Sequence, residues 1–157
     1  MTIRLLVLDI DGVLTDGRLQ LDASSSEAKR LSFRDLDAIT EAQSQGLTMA
    51  LLTGEDGPLC ETIADRLRIS RLAKGYKDKV EGIRLLSEEC QVPATEIAFV
   101  GDSDRDAKAF PGVGLSFAPR DGSEQARHLA TFTLHAKGGA GAVAEALTII
   151  SKLRRMH

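Results

Sequence analysis

Asp9 and Asp11 stand two residues apart, directly after the apolar run Leu5-Leu6-Val7-Leu8 and just before Gly12. Two carboxylates on one short loop repel each other, and a cation between them removes the repulsion. Metal-assisted chemistry is therefore the first expectation for this chain. Two further polar stretches follow apolar runs in the same manner. Thr53-Gly54 closes the run over 47–52, and Gly101-Asp102-Ser103-Asp104-Arg105-Asp106 follows Ile97-Ala98-Phe99-Val100. A fourth candidate is Lys79 of Lys77-Asp78-Lys79, at the start of an amphipathic stretch; Lys77 competes with it for the same role.

These residues need a scaffold that brings separate loops to one place. Short apolar runs of this kind read as strands buried on both faces, here over 3–8, 47–52, 97–100 and 113–117, with shorter ones over 70–73 and 132–134. Helical spacing of apolar residues lies between them. Leu36, Ile39 and Ala42 mark one helix over 35–45; Leu59, Ile63 and Leu67 mark a second over 59–67. Val80, Ile83, Leu86 and Cys90 mark a third, Ser123 caps a fourth over 123–130, and a last runs from Gly138-Gly139-Ala140-Gly141 to about 153. Strand and helix alternate, so the fold class is α/β: a three-layer domain built on a parallel sheet. The carboxyl ends of parallel strands share one edge, where Asp9, Asp11, Thr53, Gly54 and Asp102 would meet. Residues 18–33 differ. Two alternating runs flank the turn Asp22-Ala23-Ser24-Ser25-Ser26, which predicts a β-hairpin projecting beside the carboxylates.

The chain of 157 residues is expected to form one domain over 1–157, with an aliphatic core, since it has no Trp and one Tyr. A formal net charge of −3 gives no footprint for nucleic acid. The basic run Lys152-Leu153-Arg154-Arg155 reads as a helix C-terminus. No segment approaches the roughly 18 apolar residues of a membrane span. Cys60 and Cys90 lack metal-ligand spacing and read as reduced thiols of a cytoplasmic protein. His128, His135 and His157 fit no motif, Asp16 reads as structural, and Asp104 as solvent-exposed.

The ordered set Asp9 to Gly17, Thr53, Lys79 and Gly101-Asp102-Ser103-x-x-Asp106 resembles the four motifs of the haloacid dehalogenase-like phosphohydrolases, whose fold is Rossmann-like. The resemblance implies a Mg²⁺-dependent phosphatase. Asp9 is then the nucleophile, forming an aspartyl phosphate, and Asp11 the general acid and base. Mg²⁺ is held by the Asp9 carboxylate, the Asp11 carbonyl and Asp102. Thr53 and Gly54 face the phosphate, Lys79 neutralises it, and Asp106 and Ser103 support the site from behind.

Larger members of the family insert a cap domain, but the intervals 11–53 and 53–79 are already filled. The chain is therefore similar to the capless branch that acts on 3-deoxy-D-manno-octulosonate 8-phosphate. That branch implies a homotetramer with hairpins packed together, and Arg34 of Phe33-Arg34-Asp35 as a substrate contact. Glu55, Leu36 and Ala140 depart from its pattern where Arg, Gly and Arg are usual. A phosphatase of a nine-carbon 2-keto-3-deoxy sugar acid 9-phosphate is the alternative, and a non-catalytic assembly protein a further one. A receiver-domain phosphoacceptor fits less well, because its phosphorylated Asp ends a mid-chain strand, where this chain has Thr53.

Overall fold

Apolar runs that end in polar loops become the middle of a sheet. The computed structural model describes residues 1–156; His157, read from sequence as a surface or packing residue, lies outside the described residues. In chain order the elements are β1 (Leu5–Leu8), β2 (Gln20–Leu21), β3 (Glu27–Ala28), α1 (Phe33–Ser44) and β4 (Thr48–Leu52). They continue with α2 (Leu59–Leu67), β5 (Leu72–Ala73), α3 (Lys79–Cys90), β6 (Ile97–Val100) and α4 (Asp104–Ala107). The last are β7 (Leu115–Ala118), α5 (Glu124–Leu129), β8 (Phe132–Thr133) and α6 (Ala142–Arg155). Six strands form a parallel sheet in the order β5-β4-β1-β6-β7-β8.

β1 lies between β4 and β6, paired in register from Leu5 with Thr48 and Ile97 to Leu8 with Leu51 and Val100. All four of its side chains are fully buried. Leu6 and Leu8 pack on one face with Ile39 of α1, Cys60 and Ile63 of α2 and Val143 of α6. Leu5 and Val7 pack on the other with Ile83 and Leu86 of α3 and Ala126 of α5. Each aliphatic side chain removed from water contributes about 1.5–3 kcal/mol, and burial on both faces explains why the run has no polar alternation. The result is the expected three-layer α/β arrangement, with no cap domain among the described residues.

The hairpin pairs Gln20 with Ala28 and Leu21 with Glu27, antiparallel and separate from the main sheet. Its strands are only two residues long and wholly exposed, shorter than the alternating runs suggested. Phe33, placed at the hairpin's end by its pattern, instead begins α1. The strand expected over 113–117 starts at Leu115, because Phe110-Pro111-Gly112 forms a tight turn before it. The last helix begins at Ala142, and residues 138–141 are a loop.

Two helix faces differ from their periodicity. On α2, Cys60 and Ala64 join Ile63 and Leu67 inside, while Leu59 is half-buried. On α3 the change is larger: Val80 is 53% exposed, and Lys79 is buried in its place.

Asp35 is fully buried on the first turn of α1. Its carboxylate accepts hydrogen bonds from the backbone of Gly141 (3.3 Å) and Ala144 (3.0 Å), and so caps α6 from 106 residues away. Burial pushes the Asp35 carboxyl above its ordinary range despite these donors. Asp35→Ala strips the cap from α6 and leaves its amides without partners, a loss of about 2 kcal/mol. The expected result is a Tm about 4–8 °C lower in thermal unfolding; an unshifted Tm would show that the cap contributes nothing.

Candidate active site

β1 delivers Asp9 to the carboxyl edge of the sheet, and the chain leaves the strand at once. The Asp9 backbone N–H still pairs with Val100 of β6 (3.1 Å). The following loop curls into one wide turn, closed by the Thr15 N–H donating to the Ile10 carbonyl at 3.1 Å. Thr15 Oγ1 accepts from the Gly12 and Gly17 amides at 3.3 and 3.1 Å, which fixes the turn from inside. Gly12 adopts φ +81°, and a Cβ there would lie 1.8 Å from Oδ2 of Asp102. Only glycine lets this loop approach the second acidic loop so closely. The loop is also walled from behind. A Cβ on Gly138 would meet the Gly12 carbonyl oxygen at 1.9 Å, and the Gly139 N–H donates to the Val13 carbonyl at 3.0 Å.

Thr53 follows β4 and is 1% exposed; its amide pairs with Ala73 of β5 (2.9 Å) and its Oγ1 accepts from the Glu55 amide (3.2 Å). Lys79 is the first residue of α3, whose N-terminus Asp78 caps by accepting from the Glu81 amide. The Lys79 ammonium lies 2.5 Å from Oδ1 of Asp106 and 3.3 Å from Oδ1 of Asp9. Asp106 is saturated: its Oδ2 accepts from the amides of Asp102 (2.9 Å) and Ser103 (3.2 Å), while Ser103 Oγ accepts the Asp106 amide (3.2 Å). This reciprocal cap starts α4 and anchors the Asp102 loop.

The charges explain one another. Burial pushes the Asp9 carboxyl well up, and the negative charges of Asp106 and Asp102 add to it against the pull of Lys79. Burial and the Asp106 charge push Asp102 up to about 6. Burial also opposes ionised Asp106, but the Lys79 charge and hydrogen bonds outweigh it and hold that carboxyl below its ordinary value. Lys79 is held above its ordinary value, the attraction of Asp9 and Asp106 exceeding the cost of its burial. Asp9 uses Oδ1 for both the Ile10 amide (2.8 Å) and Lys79, which leaves Oδ2 for chemistry.

Asp9, Asp11, Thr53, Gly54, Lys79, Asp102 and Ser103 share one open cleft of about 230 Å³, with Asp106 buried beneath it. Arg34 is not part of it. That residue is exposed on the first turn of α1, with its side chain against Gly141. Glu55, Lys77 (the competitor of Lys79) and Arg105 line the rim, and Lys29 reaches from β3's end of the hairpin to within 2.8 Å of Asp11 Oδ1; no motif role singles out Arg105 or Lys29. Lys29 lies in an alternating run whose charged positions read as solvent-facing, so its partner was visible only in three dimensions. His128 is exposed, and His135 pairs with Glu145 at the surface.

A family model of haloacid dehalogenase-like hydrolases matches residues 69–147. The 3-deoxy-D-manno-octulosonate 8-phosphate phosphatase of Salmonella typhi is 33% identical over 148 residues, 94% of this chain and 79% of that protein. The chain belongs to the haloacid dehalogenase-like hydrolases. The hydrolase also superposes on solved structures. The 3-deoxy-D-manno-octulosonate 8-phosphate phosphatase of Moraxella catarrhalis, in complex with magnesium, phosphate and KDO, gives a TM-score of 0.93 at 27% identity, over 98% of this chain and 88% of that one. The cobalt-bound deoxy-D-mannose-octulosonate 8-phosphate phosphatase of Haemophilus influenzae gives 0.93 at 30% identity, over 98% and 90%.

The donor set of the hydrolase suits a hard divalent cation. Carboxylate oxygens of Asp9, Asp102 and Asp106 all lie within 4.8 Å of one another. Asp106 already has Lys79 and two amides as partners, so Asp9 and Asp102 are the acids left wanting positive charge, as their raised proton affinities state. The glycine at position 12 lets the Asp102 carboxylate come up against the loop that carries Asp9 and Asp11.

Proposed function

We propose that the hydrolase is a Mg²⁺-dependent phosphatase of an acidic sugar phosphate, of the 3-deoxy-D-manno-octulosonate 8-phosphate kind. One observation carries the reading: Asp9 presents a free carboxylate oxygen at a strand end, beside a buried lysine and a second acid, in a chain similar to phosphatases of that substrate. Asp9, Asp102 and the Asp11 carbonyl would hold Mg²⁺, which offsets the repulsion between a carboxylate nucleophile and an anionic phosphate.

Asp9 Oδ2 attacks phosphorus as the bond to the sugar oxygen breaks, giving an aspartyl phosphate. Asp11 gives the departing oxygen its proton, then takes one from the water that attacks the aspartyl phosphate and frees Asp9. Thr53 and the Gly54 backbone orient the phosphoryl oxygens. Lys79 faces the charge that develops there while keeping Asp9 in place. Asp106 and Ser103 hold Lys79 and the Asp102 loop still. Lys29 fixes the Asp11 side chain.

Residues 1–157 form a single catalytic domain in this reading, with the hairpin over 18–33 as its flap. Leu19, Leu21 and Phe33, 48%, 60% and 74% exposed, supply apolar surface for a homotetramer in which hairpins pack together. Two free cysteines support a cytoplasmic setting. No helix among the described residues is long and apolar enough to cross a membrane.

A panel of phosphomonoesters tests the reading. Phosphate release should require Mg²⁺, stop with a chelator, and show its highest kcat/KM on the eight-carbon 2-keto-3-deoxy acid phosphate. Preference for the nine-carbon acid would move the protein to that neighbouring activity. No release from any member with Mg²⁺ would overturn the reading.

A further inference from the structure

The charges lining the cleft divide into those that are engaged and those that are not. Lys79 is shared between Asp9 and Asp106, and Lys29 is engaged by Asp11. Lys77 and Arg105 also line the cleft, yet neither has an ion-pair partner among the described residues. Both are exposed, on opposite supports that hydrogen bonds make rigid.

Lys77 lies in the loop between β5 and α3. The Gly75 amide of that loop donates to the Glu55 carbonyl (2.7 Å) and the Tyr76 amide to the Thr53 carbonyl (3.0 Å). The Lys77 side chain consequently runs beside Gly54, its Cγ 3.7 Å from where a Cβ on Gly54 would lie. Arg105 is in the first turn of α4, held by the Ser103–Asp106 reciprocal cap. In the proposed reaction the phosphoryl group would meet Asp9 on the floor of the cleft, which turns the leaving group towards the rim. Glu55 lies on the same rim and reduces its charge to a net of one positive. That balance matches one carboxylate on the leaving group and not a second dianionic phosphate.

We propose that Lys77 and Arg105 of this same chain bind the carboxylate of the substrate, and so set its preference for acid-bearing over neutral phosphomonoesters. The inference rests on the acidic sugar phosphate reading. A guanidinium and an ammonium converging on one carboxylate form charge-assisted hydrogen bonds, which are stronger than neutral ones. Exposed at the mouth, they remain open to screening by salt.

The experiment measures kcat/KM for a 2-keto-3-deoxy sugar acid phosphate and for a neutral sugar phosphate of similar length, with Mg²⁺. The readout is their ratio. Lys77→Ala and Arg105→Ala should each lower the ratio about tenfold, chiefly through KM of the acid-bearing substrate. Lys77→Arg and Arg105→Lys should restore most of it, and the wild-type ratio should fall as salt rises. A ratio that survives the double alanine variant, in an enzyme whose wild type prefers the acid, would overturn this inference and leave the phosphatase reading standing. A wild type with no preference for the acid would overturn both the acidic-substrate reading and the inference.

Discussion

Asp9→Asn lowers kcat by about 10⁴-fold or more while the protein keeps its fold. Asparagine has nearly the shape of aspartate, and its carbonyl oxygen can still accept from the Ile10 amide, but it cannot attack phosphorus. The same variant carries a signature in stability. Ionised Asp9 is costly in the metal-free protein, because burial and two neighbouring acids hold its carboxyl well above its ordinary value. An acid with a raised folded pKa stabilises the fold at low pH, and that contribution is lost as the pH rises through the folded value. Replacing it by a neutral amide removes the cost at neutral pH. Chelator-treated Asp9→Asn should therefore have a Tm equal to or above that of wild type at pH 7.5, with the difference vanishing towards pH 4. Undiminished phosphate release would sink the nucleophile assignment; a collapsed Tm would sink the electrostatic account.

Lys79→Met has the opposite profile. It removes the cation between two buried carboxylates and keeps the apolar stem. Breaking a buried pair in this manner costs about 3–5 kcal/mol. The wild-type Asp106 carboxyl sits below its ordinary value, so its contribution is present at neutral pH and lost as the pH falls through that value. In the variant, the carboxylates left behind hold protons more tightly and the fold gains by acidification. The Tm gap between wild type and Lys79→Met should be widest at pH 7–8 and narrow towards pH 4 in chelator-treated protein. Turnover should fall by at least about 10²-fold, since the phosphoryl charge loses the only buried cation among the described residues. A gap independent of pH would mean that the cost is one of packing.

α3 also shows where sequence reading succeeds and where it stops. Its position and its first residue follow from local signals: an Asp cap, a lysine, then apolar residues at helical spacing. Its rotation does not. Helical periodicity turns Val80 inward, but the chain turns it out and buries Lys79. Exposing one valine forfeits about 1.5 kcal/mol of burial. That is less than the interaction of Lys79 with Asp9 and Asp106, and neither acid is a sequence neighbour. Strands were more legible. β6 has the bounds its apolar run implies, because a run buried on both faces and ending in a polar loop has few other readings. α2 has the expected bounds as well.

The residues at the sheet edge follow the same division. Asp9, Thr53 and Asp102 end apolar strands, so their meeting is a property of parallel topology. Lys29 and Lys77 are placed by the end of a hairpin and by a loop whose course no spacing encodes, and Arg105 by the single turn of α4. Arg34 entered through resemblance alone, and lies beside Gly141 instead of in the cleft. Asp35 lies next to it in sequence, yet its partners are at the start of α6.

The wall behind the Gly12 turn has a bearing on synthesis. A chain emerging from the ribosome as far as Asp106 already holds every acid and the buried lysine of the cleft. It does not yet hold Gly138 and Gly139, which close off the turn, or the amides that Asp35 must meet. Until the last helix is delivered, the loop that carries Asp9 and Asp11 lacks the two glycines that wall it in the finished fold. The wall of the cleft is thus completed by the last residues of the chain, although its acids and lysine are made early.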